Sequence, residues 1–161
     1  MNRTLLLKPL AVITAVLFLS GCGAANHHSE GGSYKASQAV RAAYSQIGTK
    51  YKSGGASPSQ GFDCSGLVRW TYKSVGINLP RTAREQSLMG YRIMDVSKMR
   101  AGDIVAFRRS GGGYHTGIYI GDGRFIHAPR TNSRVRVESC DSAFFRNNFI
   151  GARRIIMTGS N

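Results

Sequence analysis

The stretch Ser59–Trp70, SQGFDCSGLVRW, decides the fold, because it places Cys64 at the point where a loop turns into a helix. From Ser65 onward, apolar residues recur at the spacing of one helical face, and Gly76 ends the segment. The preceding residues 50–61 are rich in glycine, serine and proline, which is typical of a loop. We therefore predict a helix whose N-terminus carries Cys64.

The segments around this helix predict an α+β fold. Upstream, the apolar spacing predicts a first helix, with Ser37 as its N-cap and Gly48 as its end. Downstream, TARE at Thr82–Glu85 has the spacing of a capping box and predicts a short helix to about Gly90. The second half contains the β-rich runs DIVAF, TGIYI, RFIHA, RVRVE and IGARRIIM, with one or two helical turns expected in SAFFRNNF. Helices followed by strands indicate an α+β domain with an antiparallel sheet.

A thiol at the start of a helix can serve as a nucleophile, because the free N–H groups and the helix dipole lower the pKa of the cysteine. Such a cysteine also needs a base within hydrogen-bond reach, and the base needs a group that orients it. Of the four histidines, only His115 and His127 lie in predicted strands. The sequence therefore predicts a catalytic site made of Cys64, His115 and His127.

The length of one hairpin loop decides whether the two histidines face the same side of the sheet, since side chains alternate along a strand. A two-residue loop, Asp122–Gly123, would turn His127 away from His115. A three-residue loop, Gly121–Gly123, places His127 opposite Gly117 and on the face that carries His115. We therefore predict the three-residue loop.

Two other roles for the cysteine stay open at this point. After Cys22, the chain has only Cys64 and Cys140, and such a pair can form a disulfide in an oxidising compartment. A zinc site with one cysteine and two histidines is a further alternative, although the closely spaced ligand pair of structural zinc sites is missing. We favour the nucleophile and expect no metal and no organic cofactor.

The N-terminus has the features of an export signal. Residues 1–21 combine two basic residues with an apolar run that is short for a membrane span. LSGC, which ends at Cys22, resembles the lipobox of bacterial lipoproteins and implies that Cys22 becomes an acylated N-terminus. This resemblance implies a tether to the membrane through the lipid on Cys22. The residue that follows Cys22, Gly23, is not acidic. In the lipoprotein family this pattern favours the outer membrane, with the protein facing the periplasm.

The rest of the chain divides into a linker and one domain. Residues 22–36 are rich in glycine and serine and lack apolar periodicity, so they predict an acylated cysteine followed by a flexible tether. Residues 37–161 have the length of a single domain and show no internal repeat. We expect this domain to be monomeric and to carry the catalytic site.

The charge of the chain favours anionic surroundings. The formal net charge is +14, and removal of Arg3 and Lys8 with the signal would leave +12, since no acid precedes Cys22. Export and the absence of a recognised binding motif argue against nucleic acid as a partner. Cell wall or lipid head groups fit this charge better.

Four blocks, GGASPSQGFDCSGLVRW, LPRTAREQ, RAGDIVAF and HTGIYIGDGRFIHA, resemble the NlpC-type cell-wall cysteine peptidases over about residues 37–155. The resemblance implies a papain-like fold in which Cys64 is the nucleophile, His115 the general base and His127 the polar residue that orients it. It also implies an acyl-enzyme on the cysteine and peptidoglycan stem peptides as the substrate.

The same resemblance implies that Tyr51, Asp63 and Ser65 contact the substrate. Each has a structural alternative, because Asp63 suits an N-cap, Ser65 a first helical turn and Tyr51 a packing position. Arg81 could contact a substrate carboxylate or anchor its loop. Ser53 departs from the family pattern, in which an aromatic or large apolar residue often precedes the two glycines.

The resulting hypothesis is a lipid-anchored cysteine peptidase that hydrolyses stem peptides at the D-γ-glutamyl–diaminopimelate or the D-alanyl–diaminopimelate bond. A lipoprotein that binds peptidoglycan without cleaving it is one alternative. An acyltransferase on the same fold is another, since an amine or hydroxyl can capture an acyl-enzyme as water does.

Overall fold

The structure, a computed structural model, describes residues 27–156 of the chain. The signal peptide expected at 1–21 and the acylation expected at Cys22 lie outside these residues. Within the described range, none of the helices is both long and apolar enough to cross a membrane.

The described residues form four α-helices and one 3₁₀ turn. They are α1 (His27–Tyr44), α2 (Cys64–Lys73), α3 (Ala83–Gln86), the 3₁₀ turn (Val96–Lys98) and α4 (Ala143–Asn148). The predicted capping box is confirmed, since Thr82 and Glu85 bond to each other's backbone N–H at the start of α3. However, α3 ends at Gln86 and does not continue to Gly90. The short α4 confirms the helical turns predicted for SAFFRNNF.

The strands form one small and one large sheet. They are β1 (Ala56–Ser57), β2 (Gly61–Phe62), β3 (Tyr91–Ile93), β4 (Ile104–Arg108), β5 (Tyr114–Gly121), β6 (Arg124–His127), β7 (Arg136–Ser139) and β8 (Phe149–Arg154). β1 pairs with β2, and the large sheet has the order β3-β8-β4-β5-β6-β7 with every neighbouring pair antiparallel. The α+β prediction and the antiparallel sheet are confirmed, and the five predicted strands correspond to β4–β8.

The first helix runs from His27 to Tyr44, whereas the sequence predicted a helix from the N-cap Ser37 to Gly48. Ser37 does not cap it, because its hydroxyl donates to the carbonyl of Tyr34 inside the helix. Ala39 and Ala43 are fully buried against the core and fix the middle of α1. Once packing has nucleated a helix, each added residue gains a hydrogen bond, so the polar segment before it becomes helical too. Residues 27–36, for which the sequence predicted no regular structure, are therefore part of α1.

The large sheet has a core on each face. On one face, alternate residues of the strands pack against α1 and α2. This cluster includes Ile104, Ile118 and Ile126 of the sheet and Leu67 and Val68 of α2. The other face carries a second cluster that includes Val105, Phe107, Phe125 and, from α4, Phe145. Such burial supplies most of the driving force for folding. It also fixes β5 and β6 from both sides.

Candidate active site

Cys64 is the first residue of α2, as predicted. Asp63 is the N-cap, and its carboxylate accepts a 2.7 Å hydrogen bond from the backbone N–H of Gly66. A Cβ atom at Gly66 would overlap the backbone carbonyl of Gly55, so only glycine lets the double-glycine turn pack on the helix start. Cys64 is half-buried and Cys140 is buried, and both described cysteines are free thiols. The disulfide alternative is therefore absent from the described structure.

The Asp63 carboxylate holds the loops around the nucleophile together. It accepts two hydrogen bonds from the Arg81 guanidinium, at 2.6 and 3.0 Å, and one from the backbone N–H of Gly54. The Ser65 hydroxyl donates to the same carboxylate and accepts from Arg81. Burial opposes ionisation here, but the bonds from Arg81 and Gly66 prevail and lower the pKa of Asp63. Arg81 thus anchors its loop, which is one of the two roles predicted for it.

The β5–β6 hairpin reaches the predicted register by a different route. Its turn has two residues, Asp122 and Gly123, both with positive φ, which is the geometry that suits the twist of a tight hairpin. A β-bulge at Ile120 adds the residue that the turn lacks. His127 consequently lies opposite Gly117, in register with the paired Ile118 and Ile126. The three-residue loop was wrong, whereas the shared face was right.

The two histidine rings are in direct contact. His115 Nε2 and His127 Nδ1 are 2.7 Å apart, and the rings meet edge to face at 84°. Gly117 leaves the room for this pair, because a Cβ atom there would lie 2.7 Å from the Phe125 ring and 3.2 Å from the Cβ of His127. Both histidines are almost fully buried, at 3% and 1% exposure. The sheet therefore presents one rigid imidazole dyad.

An aromatic environment keeps this dyad uncharged. The ring of Phe145 lies 5.4 Å from that of His127, and the ring of Phe125 lies 4.8 Å from it. Burial lowers the pKa of His115 to about 4, with a contribution from the Arg109 charge. Burial also lowers the pKa of His127 to about 2, followed by the effects of His115 and Arg136. Both rings are neutral at pH 7.

The thiol of Cys64 lies at the backbone of Thr116, the residue that follows His115 in β5. Burial raises its pKa, and the N–H groups of Thr116 and Ser65 and the charge of Arg109 oppose that rise only in part. The Asp63 carboxylate adds to the increase. The predicted lowering of the thiol pKa is therefore wrong in direction, because desolvation exceeds the effect of the helix N-terminus. The resting site holds a neutral thiol beside neutral imidazoles.

Tyr51 lies close to the nucleophile. Burial, followed by the charges of Cys64 and Asp63, raises the pKa of its phenol, so the hydroxyl stays protonated and can donate a hydrogen bond. The nearby side chain of Ser53, the residue that departs from the family pattern, opposes this rise in the pKa of Tyr51.

The sequence analysis missed two charged residues at the site. Glu138 Oε2 lies 3.9 Å from His127 Nε2, and it accepts hydrogen bonds from Arg136. Arg109 follows β4, and its charge acts on the thiol, on His115 and on Tyr51. The pairing of β6 with β7 places Glu138 opposite Phe125. Only this pairing, which the sequence does not specify, could have pointed to Glu138.

Comparisons with known proteins agree with this geometry. The family model described as the NlpC/P60 family matches residues 48–154. Murein DD-endopeptidase MepH of Escherichia coli K12 is 42% identical over 119 residues, which covers 69% of this chain and 42% of that protein. Murein DD-endopeptidase MepS/Murein LD-carboxypeptidase of the same strain is 40% identical over 110 residues, covering 68% of this chain and 57% of that protein.

A solved structure gives the same result for the fold. The NlpC/p60 domain of the peptidoglycan hydrolase SagA superposes with a TM-score of 0.65 at 37% identity, covering 74% of this chain and 98% of that one. The chain spans only about half of the length of the curated relatives it matches, from 42% of MepH to 57% of MepS. With a matching family model over most of the described residues and the fold of a solved member, the chain belongs to the NlpC/P60 family.

Proposed function

We propose that the chain is a monomeric cysteine peptidase that hydrolyses peptidoglycan stem peptides. The bond that it cuts is D-γ-glutamyl–diaminopimelate or D-alanyl–diaminopimelate, and a lipid on Cys22 tethers it to the outer membrane on the periplasmic side. One observation carries the proposal, namely that the free Cys64 thiol at the start of α2 lies at the backbone of Thr116, the residue that follows His115 of the dyad. The names of the relatives MepH, MepS and SagA supply the substrate class.

The hydrogen bond within the dyad assigns the proton positions that catalysis needs. If His115 carries its proton on Nε2 and donates it to His127 Nδ1, then His115 Nδ1 is left as a base. That nitrogen is buried and has no hydrogen-bond partner among the described residues. The thiol proton of Cys64 moves to His115 Nδ1 as the sulfur attacks the scissile carbonyl. The bond to His127 holds the resulting imidazolium in place.

The remaining steps complete an acyl transfer to water. The backbone N–H of Cys64 lacks an intrahelical acceptor and can donate to the oxyanion. The leaving amine takes the proton from His115 Nδ1, and a thioester remains on the sulfur. Water then attacks the thioester and gives one proton back to His115. The thiol is restored when the carboxylic acid product leaves.

Three residues beside the nucleophile are the proposed substrate contacts. The phenol of Tyr51 can donate to a substrate carbonyl, because burial, followed by the effects of Cys64 and Asp63, raises its pKa and keeps it protonated. The Asp63 side chain retains 16% exposure and can accept from a substrate amine. Ser65 shares the network of Asp63 and Arg81 and positions that carboxylate.

The pH profile of hydrolysis follows from the lowered pKa of His115. A general base works only when it is unprotonated, so kcat/KM should fall as the pH drops through about 4. Between pH 5 and 6.5 it should hold, although an exposed imidazole would already be protonated there. A circular dichroism spectrum at each pH distinguishes protonation of the base from acid unfolding of the protein. An acidic limb centred near 6.5 would contradict the buried base.

The direct test is digestion of purified peptidoglycan by the full chain, with the fragments identified by mass spectrometry. The expected result is new peptide termini at one of the two bonds named above, each product gaining one water. If the peptidoglycan stays intact but the folded protein binds to it, the result would favour the binding alternative. Fragments joined to an added amine or hydroxyl compound would favour the acyltransferase.

A further inference from the structure

A cleft of about 410 Å³ opens next to the imidazole dyad and is large enough for part of a peptide. We name it the arginine cleft, because its wall contains Arg109, Arg130 and Arg136. The two histidines form its inner end, and the aromatic residues of α4 form one side. The proposed substrate contacts Tyr51, Asp63 and Ser65 are not part of its lining, so the cleft belongs to another side of the site.

Part of the positive charge in the arginine cleft has no counter-charge among the described residues. Glu138 is the one carboxylate in its lining, and it is engaged by Arg136 through bonds of 2.8 and 3.2 Å. The side chains of Arg109 and Arg130 form no hydrogen bond and no ion pair with any other described residue. Two guanidinium groups therefore remain available to an anion.

The unpaired charge lies within reach of the chemistry. The charge of Arg109 acts on the Cys64 thiol and on His115. His127 Nε2, buried at the inner end of the cleft, has no hydrogen-bond partner among the described residues. The cleft is thus a polar opening whose inner end is the dyad, while Cys64 is not part of its lining.

We propose that the arginine cleft binds a free carboxylate of the stem peptide adjacent to the scissile bond. This inference rests on the proposed function. A γ-linked glutamyl residue keeps its α-carboxylate, and diaminopimelate has two carboxyl groups, so each candidate bond has a free carboxylate close by. A guanidinium binds a carboxylate through two parallel hydrogen bonds, which makes Arg109 and Arg130 determinants of substrate specificity.

Synthetic stem peptides with either candidate bond test the proposal with the full chain. Each peptide is compared with two analogues, one with a carboxamide in place of the glutamyl α-carboxylate and one with a carboxamide on diaminopimelate. We expect one of the two replacements to lower kcat/KM about tenfold, as loss of a charge-assisted hydrogen bond does. The replacement that matters identifies the source of the carboxylate.

Variants then test whether the arginine cleft causes the preference for the carboxylate peptide over its carboxamide. In the double variant Arg109→Gln/Arg130→Gln, the carboxylate peptide and its carboxamide should be cleaved at similar rates. Arg124→Gln is the matched control, because it removes an equivalent charge at the opposite end of β6 from His127 and should keep the preference. Equal cleavage of acid and amide by the unmodified chain, or an undiminished preference in the double variant, would overturn the cleft assignment while the peptidase function stands. Failure to cleave any of the peptides would overturn the proposed function and the cleft's role with it.

Discussion

Replacing Cys64 by alanine should lower the rate of peptidoglycan hydrolysis by at least about a thousandfold, since the residual activity of sites without their nucleophile is small. The sulfur forms the acyl-enzyme, and the other described thiol, Cys140, lies at the opposite end of β6 from His127, where its backbone N–H donates to the carbonyl of Gly123. The measurement is the initial rate of fragment release at equal concentrations of folded protein.

Cys140→Ala is the matched control for this experiment. It removes a thiol from the core without touching the site, so we expect a modest loss of stability and an almost unchanged rate. Cys64→Ser is a second test, because serine keeps the size of the side chain but is a much poorer nucleophile beside a weak base. Equal rates for the unmodified chain and Cys64→Ala would remove the thiol from the mechanism.

The free energy of unfolding should fall steeply as the pH drops from 6.5 to 4.5. Burial lowers the folded-state pKa of His115 to about 4 and of His127 to about 2, whereas unfolded histidines titrate near 6.5. In this pH window the unfolded chain binds more protons than the folded chain. The stability that is present above the unfolded pKa is therefore lost as the pH falls. Each histidine contributes about 1.4 kcal/mol per pH unit. Urea unfolding, followed through the fluorescence of Trp70, measures the slope.

This pH window separates the dyad from the acidic residues. Carboxyl groups with a lowered pKa, such as Asp63, destabilise the fold only below about pH 4, where the unfolded chain begins to protonate them. The variant His127→Gln removes one buried imidazole and should reduce the slope by about half. A free energy of unfolding that is the same at pH 6.5 and pH 4.5 would show that the dyad is not buried as a neutral pair.

Local signals in the sequence predicted most of the elements that position the site. The start of α2 at Cys64 and the capping box at Thr82 depend on residues within one helical turn, so the sequence contains the whole cause. The strands that carry the histidines follow from short β-rich runs between turn residues. Alternation along the strands predicted the shared face of His115 and His127 only with the wrong loop length, and the prediction holds because the bulge at Ile120 restores the register.

Features that depend on distant packing were not predictable in this way. The extension of α1 to His27 depends on the burial of its middle against the core. The raised pKa of Cys64 depends on how completely the fold desolvates it, and the ion pair of Asp63 with Arg81 joins residues 18 positions apart. The turn at Asp122 was missed because a bulge in β5 compensates for it, and periodicity cannot show where an extra residue is absorbed.

The bulge at Ile120 has a practical consequence for protein engineering. Exchanging Asp122–Gly123 for another two-residue turn would conserve the parity of the hairpin and leave both imidazoles beside the sulfur. Deleting Ile120 would remove the bulge without moving the histidines, because Tyr119 and Gly121 would then follow each other opposite Phe125 and Arg124. His127 would stay opposite Gly117, so the hairpin tolerates either change without separating the two imidazoles.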